Sequence, residues 1–311
     1  MFSYFRTSTR SSPFPLATPV INHADATAPD QSLASRPASV RQSVRAAERD
    51  RLQTQRAFKR PPLSIPKLAT ILLAAFGALK GAHGANSNQL IIGVMDSGID
   101  INHKALMNNI FVNDREIPLN GKDDDKNGFI DDVHGFDFVD NSAITPAEYH
   151  GTHVAGIIAG KSTGTTEIPA SVKLLPLRVL GGGRVDYSKS IRYAEKLGAR
   201  IINMSFGSLH ERRGMYDTMK NSSMFFVVAA GNENQNFSSW LLYPASFRLP
   251  NMLVVAALDA DGYLANFSNF GGSVDVGAPG VDINSTLPNN TYGIVSGTSM
   301  AAPFVVNLLI H

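Results

Sequence analysis

Five short runs constrain this chain more than any other feature. They are residues 90–95 (LIIGVM), 172–179 (VKLLPLRV), 200–205 (RIINMS), 225–230 (FFVVAA) and 252–257 (MLVVAA). Each is predominantly apolar without a regular polar alternation, so each reads as a strand buried on both faces. Helical patterns lie between them at 150–160, 187–197 and 215–222. Strands of this kind alternating with helices predict an α/β fold of three layers, with a mainly parallel sheet covered on both sides. In such sheets ligands gather outside the carboxyl ends of the strands. Asp96 follows its strand directly, and Ser205 and Asn232 stand at or just past the ends of theirs.

The 311 residues allow one large domain or two small ones, and a 43% apolar, 17% charged composition suits a globular protein. There is no cysteine, which excludes disulfides, thiolate metal sites and a cysteine nucleophile. The net charge of +2 conceals a division. Residues 1–84 carry twelve Lys/Arg against four Asp/Glu, whereas residues 85–311 carry sixteen against twenty-two. The basic part has neither interleaved aromatics nor a nucleic-acid motif, so no nucleic-acid partner is expected. Residues 1–66, rich in Ser, Arg, Pro and Ala, read as a disordered extension. Residues 67–85 hold a twelve-residue apolar run (68–79) between Lys67 and Lys80, too short to span a bilayer stably. Basic residues before it and small residues after it fit an export signal, which implies a secreted or cell-envelope protein. Its distance from residue 1 leaves other readings open: a long basic lead, a true start further along the chain, or a short interfacial or core helix in a cytoplasmic protein. The folded domain is expected over 86–311.

Three segments carry the chemistry: Asp96 in VMDSGID, His150 in HGTHVAGIIAG, and Ser299 in SGTSMAAP. A serine hydroxyl becomes a nucleophile when an imidazole takes its proton and an acid holds that imidazole in the right tautomer. Each group also has a plainer reading. Ser299 stands where an N-cap would, at the start of an apolar helix in which Pro303 is expected near the first turn. His150 and His153, three apart, could face a metal from one helix side, although no third ligand is evident. Asn232 in AAGNE could be a turn residue. Asp100 reads as structural.

The order Asp, His, Ser with these flanking residues resembles the subtilisin-like serine peptidases, over about residues 90–306. The resemblance implies a subtilisin-like fold and peptide-bond hydrolysis through an acyl-enzyme. It gives Asp96, His150 and Ser299 the triad roles and makes Asn232 an oxyanion donor beside the Ser299 backbone N–H. It further implies that an extended polypeptide substrate pairs with two edges, Leu180, Gly181, Gly182 and Gly183 on one side and Ser205, Phe206 and Gly207 on the other. The first specificity pocket would lie between Phe206–Gly207 and the segment with Ala229, Ala230 and Gly231. Leu242 would be near its base, and an apolar preference follows.

The run KDDDKNGFIDD offers Asp123, Asp125, Asn127 and Asp131 at alternating spacing, with Gly128 for a sharp turn. It suggests a structural calcium loop, although His134 stands where an EF-hand would need Glu. A solvated acidic turn is the alternative. No organic cofactor is implied, and a monomer is expected. Against the family pattern, the chain runs only twelve residues beyond Ser299, reads Phe304-Val305-Val306-Asn307 where the pattern has His-Val-Ala-Gly, and shows no recognisable folding propeptide before Leu90. These departures give a second expectation: a C-terminally truncated, inactive pseudo-peptidase or peptide-binding module. An α/β-hydrolase esterase would need G-x-S-x-G and a later catalytic histidine, and the residues around Ser299 do not supply them.

Overall fold

A computed structural model describes residues 89–143, 145–162, 164–182 and 185–311, together with Ser39 and Gln42, which are both helical. The expected extension at 1–66 and signal-like segment at 67–85 otherwise lie outside the described residues. A seven-stranded sheet runs in the order β2-β3-β1-β4-β5-β6-β7, every neighbouring pair parallel. The strands are β1 (Leu90–Asp96), β2 (Phe136–Asp137), β3 (Val172–Arg178), β4 (Ala199–Met204), β5 (Phe225–Ala229), β6 (Met252–Leu258) and β7 (Val276–Pro279). The helices are α1 (Tyr149–Ile158), α2 (Tyr187–Lys196), α3 (Arg213–Asn221) and α4 (Thr298–Ile310). An antiparallel hairpin of β8 (Ile283–Leu287) and β9 (Thr291–Val295) completes the elements.

The two faces of the sheet explain the apolar runs. On one face Ile92 and Val94 of β1 join Val154, Ile157 and Ile158 of α1 and Met300, Ala301 and Val306 of α4. On the other, Ile91 and Met95 join Ile191 and Tyr193 of α2 and Met215 and Met219 of α3. Alternate residues of one strand therefore enter different cores, and neither set can be polar. Burying each large aliphatic side chain contributes about 1.5–3 kcal/mol. Asp186 caps α2, its carboxylate accepting from Ser188 N and Lys189 N.

The hairpin is fastened to α1 by side chains. Ser285 Oγ donates to the His153 carbonyl and Thr286 Oγ1 to the Thr152 carbonyl, at 2.9 and 2.8 Å. Gly156 permits this approach, because a Cβ there would sit 2.2 Å from Thr286 Oγ1. Among the described residues no helix is long and apolar enough to cross a membrane.

Candidate active site

Asp96 closes β1 and is fully buried. Its Oδ1 accepts from Ser97 N and lies 2.7 Å from His150 Nδ1. His150 is the second residue of α1, and two backbone features bring that helix to the strand end. Gly98 takes a left-handed φ of +121°, and a Cβ on Gly151 would fall 2.1 Å from the Gly98 carbonyl oxygen. Ser97 Oγ then accepts from Gly151 N, and Thr152 Oγ1 accepts from Asp100 N. The glycines of DSG and HGTH thus serve a close backbone approach. Asp100 is structural, its carboxylate accepting from Asn102 N and Asn289 N.

Burial is the largest influence on His150 and opposes its protonation, but the Asp96 hydrogen bond and charge outweigh it. The imidazole pKa therefore lies above its ordinary value. His153 behaves in the opposite way. It is fully buried, with Nε2 against the carbonyls of Ile283 and Gly293, and burial pushes its pKa down. The two imidazoles are engaged with different partners, which leaves the metal-pair reading without support.

Ser299 is the second residue of α4, and its Oγ donates to the Ser205 carbonyl at 3.0 Å. It is no N-cap: Gly297 holds that position, without a side-chain cap. Pro303 falls deeper than expected, at the sixth helical residue. An amide N–H there would bond the Ser299 carbonyl four residues back, and proline has none. Ser205 Oγ fills the vacancy, donating to Ser299 O at 2.9 Å while accepting from Asn203 Nδ2 at 2.9 Å. Ser205 and Ser299 are thus tied by reciprocal bonds. The sequence does not signal this exchange, because Ser205 and Pro303 are far apart in the chain.

Asn232 follows β5 across Gly231, whose φ is +97°. Its Oδ1 accepts from both Thr298 N and Thr298 Oγ1 at 2.9 Å, and Thr298 Oγ1 accepts from Gly231 N at 3.0 Å. With Oδ1 held, the Nδ2 donor is left beside Gly297. The Ser299 N–H, in the first turn of α4, has no intrahelical partner. Two donors therefore flank the serine.

Leu180 N donates to the Asp96 carbonyl, and Gly181 and Gly182 follow with positive φ. Buried Arg178, paired with Asp137 and Asp140, lies under Gly181. Gly183 lies outside the described residues. Phe206, one residue past Ser205, stacks on Tyr187 at 5.5 Å, and Ala230 is buried behind Gly231. The two segments expected as substrate edges thus begin at the ends of β3 and β4, the strands that flank β1.

The acidic loop assembles differently from its spacing. Glu116, Asp123 and Asp125 bring ligand oxygens within 4.8 Å of one another. Asp131 turns instead to the backbone N–H groups of Asn120 and Gly121, and Asn127 uses its side chain on Phe129 N and Asp132. Burial disfavours ionisation of Asp123, but hydrogen bonds from the N–H groups of Gly128, Asn127 and Lys126 outweigh it and lower the pKa. Buried Glu116 Oε2 has no partner. Glu116 precedes the acidic run and carries no sequence signal of its own. Of the three carboxylates, Asp125 also pairs with Arg115 at 3.1 Å.

A family profile described as the Subtilase family matches residues 87–309. The chain is 36% identical over 246 residues to a thermophilic serine proteinase of Bacillus sp. (strain AK1), covering 75% of this chain and 53% of that protein. It therefore spans about half the length of that relative. The major intracellular serine protease of Bacillus subtilis (strain 168) is 34% identical over 240 residues, covering 73% of this chain and 69% of that one. Among solved structures, a cold-adapted subtilisin-like serine proteinase superposes with a TM-score of 0.55 at 28% identity, covering 72% of this chain and 77% of that one.

Proposed function

Because this chain belongs to the subtilase family, we propose that it is a serine endopeptidase whose triad is Asp96, His150 and Ser299. The observation that carries the proposal is the 2.7 Å contact between His150 Nδ1 and buried Asp96 Oδ1. A carboxylate only accepts, so the imidazole proton sits on Nδ1 and the Nε2 lone pair is left for the serine. Ser299 Oγ, which donates to the Ser205 carbonyl in this structure, turns its proton to His150 Nε2 and attacks the scissile carbonyl as that proton passes across, and Asp96 stabilises the imidazolium. The oxyanion accepts from Asn232 Nδ2 and the Ser299 N–H, where one such donor is worth about 10²–10³ in rate. His150 then protonates the leaving amine, and an acyl ester remains on Ser299. Water, deprotonated by the same imidazole, hydrolyses that ester and regenerates the enzyme.

Extended peptides would pair with the backbone of Leu180, Gly181 and Gly182 on one edge and Ser205, Phe206 and Gly207 on the other, a mode that tolerates many sequences. Calcium would be held by Glu116, Asp123 and Asp125, with Asn127 and Asp131 ordering the turn around it. Its contribution is to neutralise clustered carboxylates and stiffen the loop. The apolar segment at 67–85 supports export to the cell envelope or beyond. The test is hydrolysis of casein by the full chain with calcium present. Cleavage by the wild type and none by folded Ser299→Ala supports the reading. A folded wild type that leaves casein intact contradicts it and favours the inactive peptide-binding module.

A further inference from the structure

We infer that Leu242 plugs the recess beside the nucleophile, so that the enzyme accepts small residues such as alanine on the acyl side of the scissile bond and rejects large aromatic ones. The inference rests on the peptidase reading above and adds to it the class of substrate.

The location of the recess follows from hydrogen bonds. Ser205 is tied to Ser299 in both directions, and Gly231 N donates to Thr298 Oγ1. The segments that continue as Ser205–Phe206–Gly207 and Ala230–Gly231–Asn232 therefore both start at the nucleophile. On the peptidase reading, the residue whose carbonyl is held between Ser299 Oγ and Asn232 Nδ2 sends its side chain into the gap between these segments.

Both walls of that gap are glycine, which on its own would give room for a large side chain. The third side removes the room. The loop after β5 returns through a bridge between Ser208 and Tyr243, with both N–H···O bonds at 2.8 Å. This anchors the neighbouring Leu242, which is only 5% exposed. A Cβ on Gly207 would lie 2.6 Å from Leu242 Cδ2, and one on Gly231 would lie 2.4 Å from the same atom. The isobutyl group thus reaches the level of both glycine walls. With the gap between the two glycines already occupied by Leu242, a methyl group is the side chain it would admit. An aromatic ring would have to displace Leu242 from its packing in the core.

The test compares the full chain with Leu242→Gly and the milder Leu242→Ala on succinyl-Ala-Ala-Pro-Ala and succinyl-Ala-Ala-Pro-Phe p-nitroanilides. Rates are normalised to the fraction of sites titrated by a fluorophosphonate. Wild type should favour alanine over phenylalanine by about tenfold or more in kcat/KM, the discrimination one or more misplaced methylenes can give. Leu242→Gly should shift that ratio toward phenylalanine by on the order of 100-fold, with Leu242→Ala between them. Wild type that cleaves the phenylalanine substrate as well as the alanine one overturns the inference. So does an unchanged ratio in both variants. A folded wild type that the fluorophosphonate does not label refutes the peptidase reading itself, and the specificity inference with it.

Discussion

The exchange between Pro303 and Ser205 makes a quantitative prediction. Ser205 is 2% exposed, and its hydroxyl satisfies two buried groups, the Ser299 carbonyl and Asn203 Nδ2. Ser205→Ala leaves both unpaired, at about 1–3 kcal/mol each, so about 2–6 kcal/mol in total is expected, and about 3 kcal/mol is a conservative figure within that range. In a domain of this size that corresponds to a melting temperature lower by roughly 6–12 °C. Pro303→Ala restores a helical N–H four residues after Ser299, which can bond the same carbonyl. In that background Ser205→Ala should strand only Asn203 Nδ2 and cost about half as much. The four proteins form a double-mutant cycle, which cancels whatever Pro303→Ala does by itself to packing. Its coupling should be about 1–2 kcal/mol. Thermal unfolding of all four by circular dichroism, with calcium present, measures it. An equal cost of Ser205→Ala in the wild-type and Pro303→Ala backgrounds refutes the reasoning, because the hydroxyl would then not be standing in for the missing amide.

Two further predictions concern charge. Since the Asp96 carboxylate raises the His150 pKa, neutral imidazole, and with it kcat/KM, should rise with pH through a midpoint above the ordinary histidine value. Asp96→Asn should move that midpoint downward and lower kcat by on the order of 10⁴-fold, measured as a pH–rate profile; an unmoved midpoint contradicts the assignment. The same raised pKa adds stability that is present below the unfolded histidine pKa and is lost as pH rises through the folded one. At the acidic loop, calcium should raise the melting temperature of the wild type, and Glu116→Gln should remove most of that increase while Asp131→Asn removes less. Equal stabilisation of wild type and Glu116→Gln by calcium refutes the role given to Glu116.

What the sequence makes legible depends on how many faces a segment must satisfy. β1, β3, β4, β5 and β6 are readable because both faces meet a core, which forces apolar residues at every second position in both registers. The three early helices end within two residues of where their patterns place them. β7, with the sequence VGAP, and the largely exposed β9 lack that pressure and pass for loop. β2, two residues long, has no period to read. Asp96, His150, Ser299 and Asn232 stand out because the close approach of Gly98 to Gly151, and the turn at Gly231, fix the residues around them. Glu116 does not, because its place beside Asp123 and Asp125 is made by the loop's path and not by spacing. For the same reason Asp131 fits the alternating pattern and still turns to the backbone of Asn120 and Gly121. The family resemblance implies a place for Leu242 near the pocket, but its reach between two glycines depends on the Ser208–Tyr243 bridge.

The central claim is that Asp96 and His150 activate Ser299 as a nucleophile. The most direct measurement is covalent labelling of the folded full chain by a fluorophosphonate, followed by mass spectrometry of the modified peptide. One adduct is expected, on Ser299, formed rapidly by wild type, much more slowly by His150→Ala, and not at all by Ser299→Ala. A folded wild type that stays unlabelled, or one that labels at the same rate without His150, would contradict that claim.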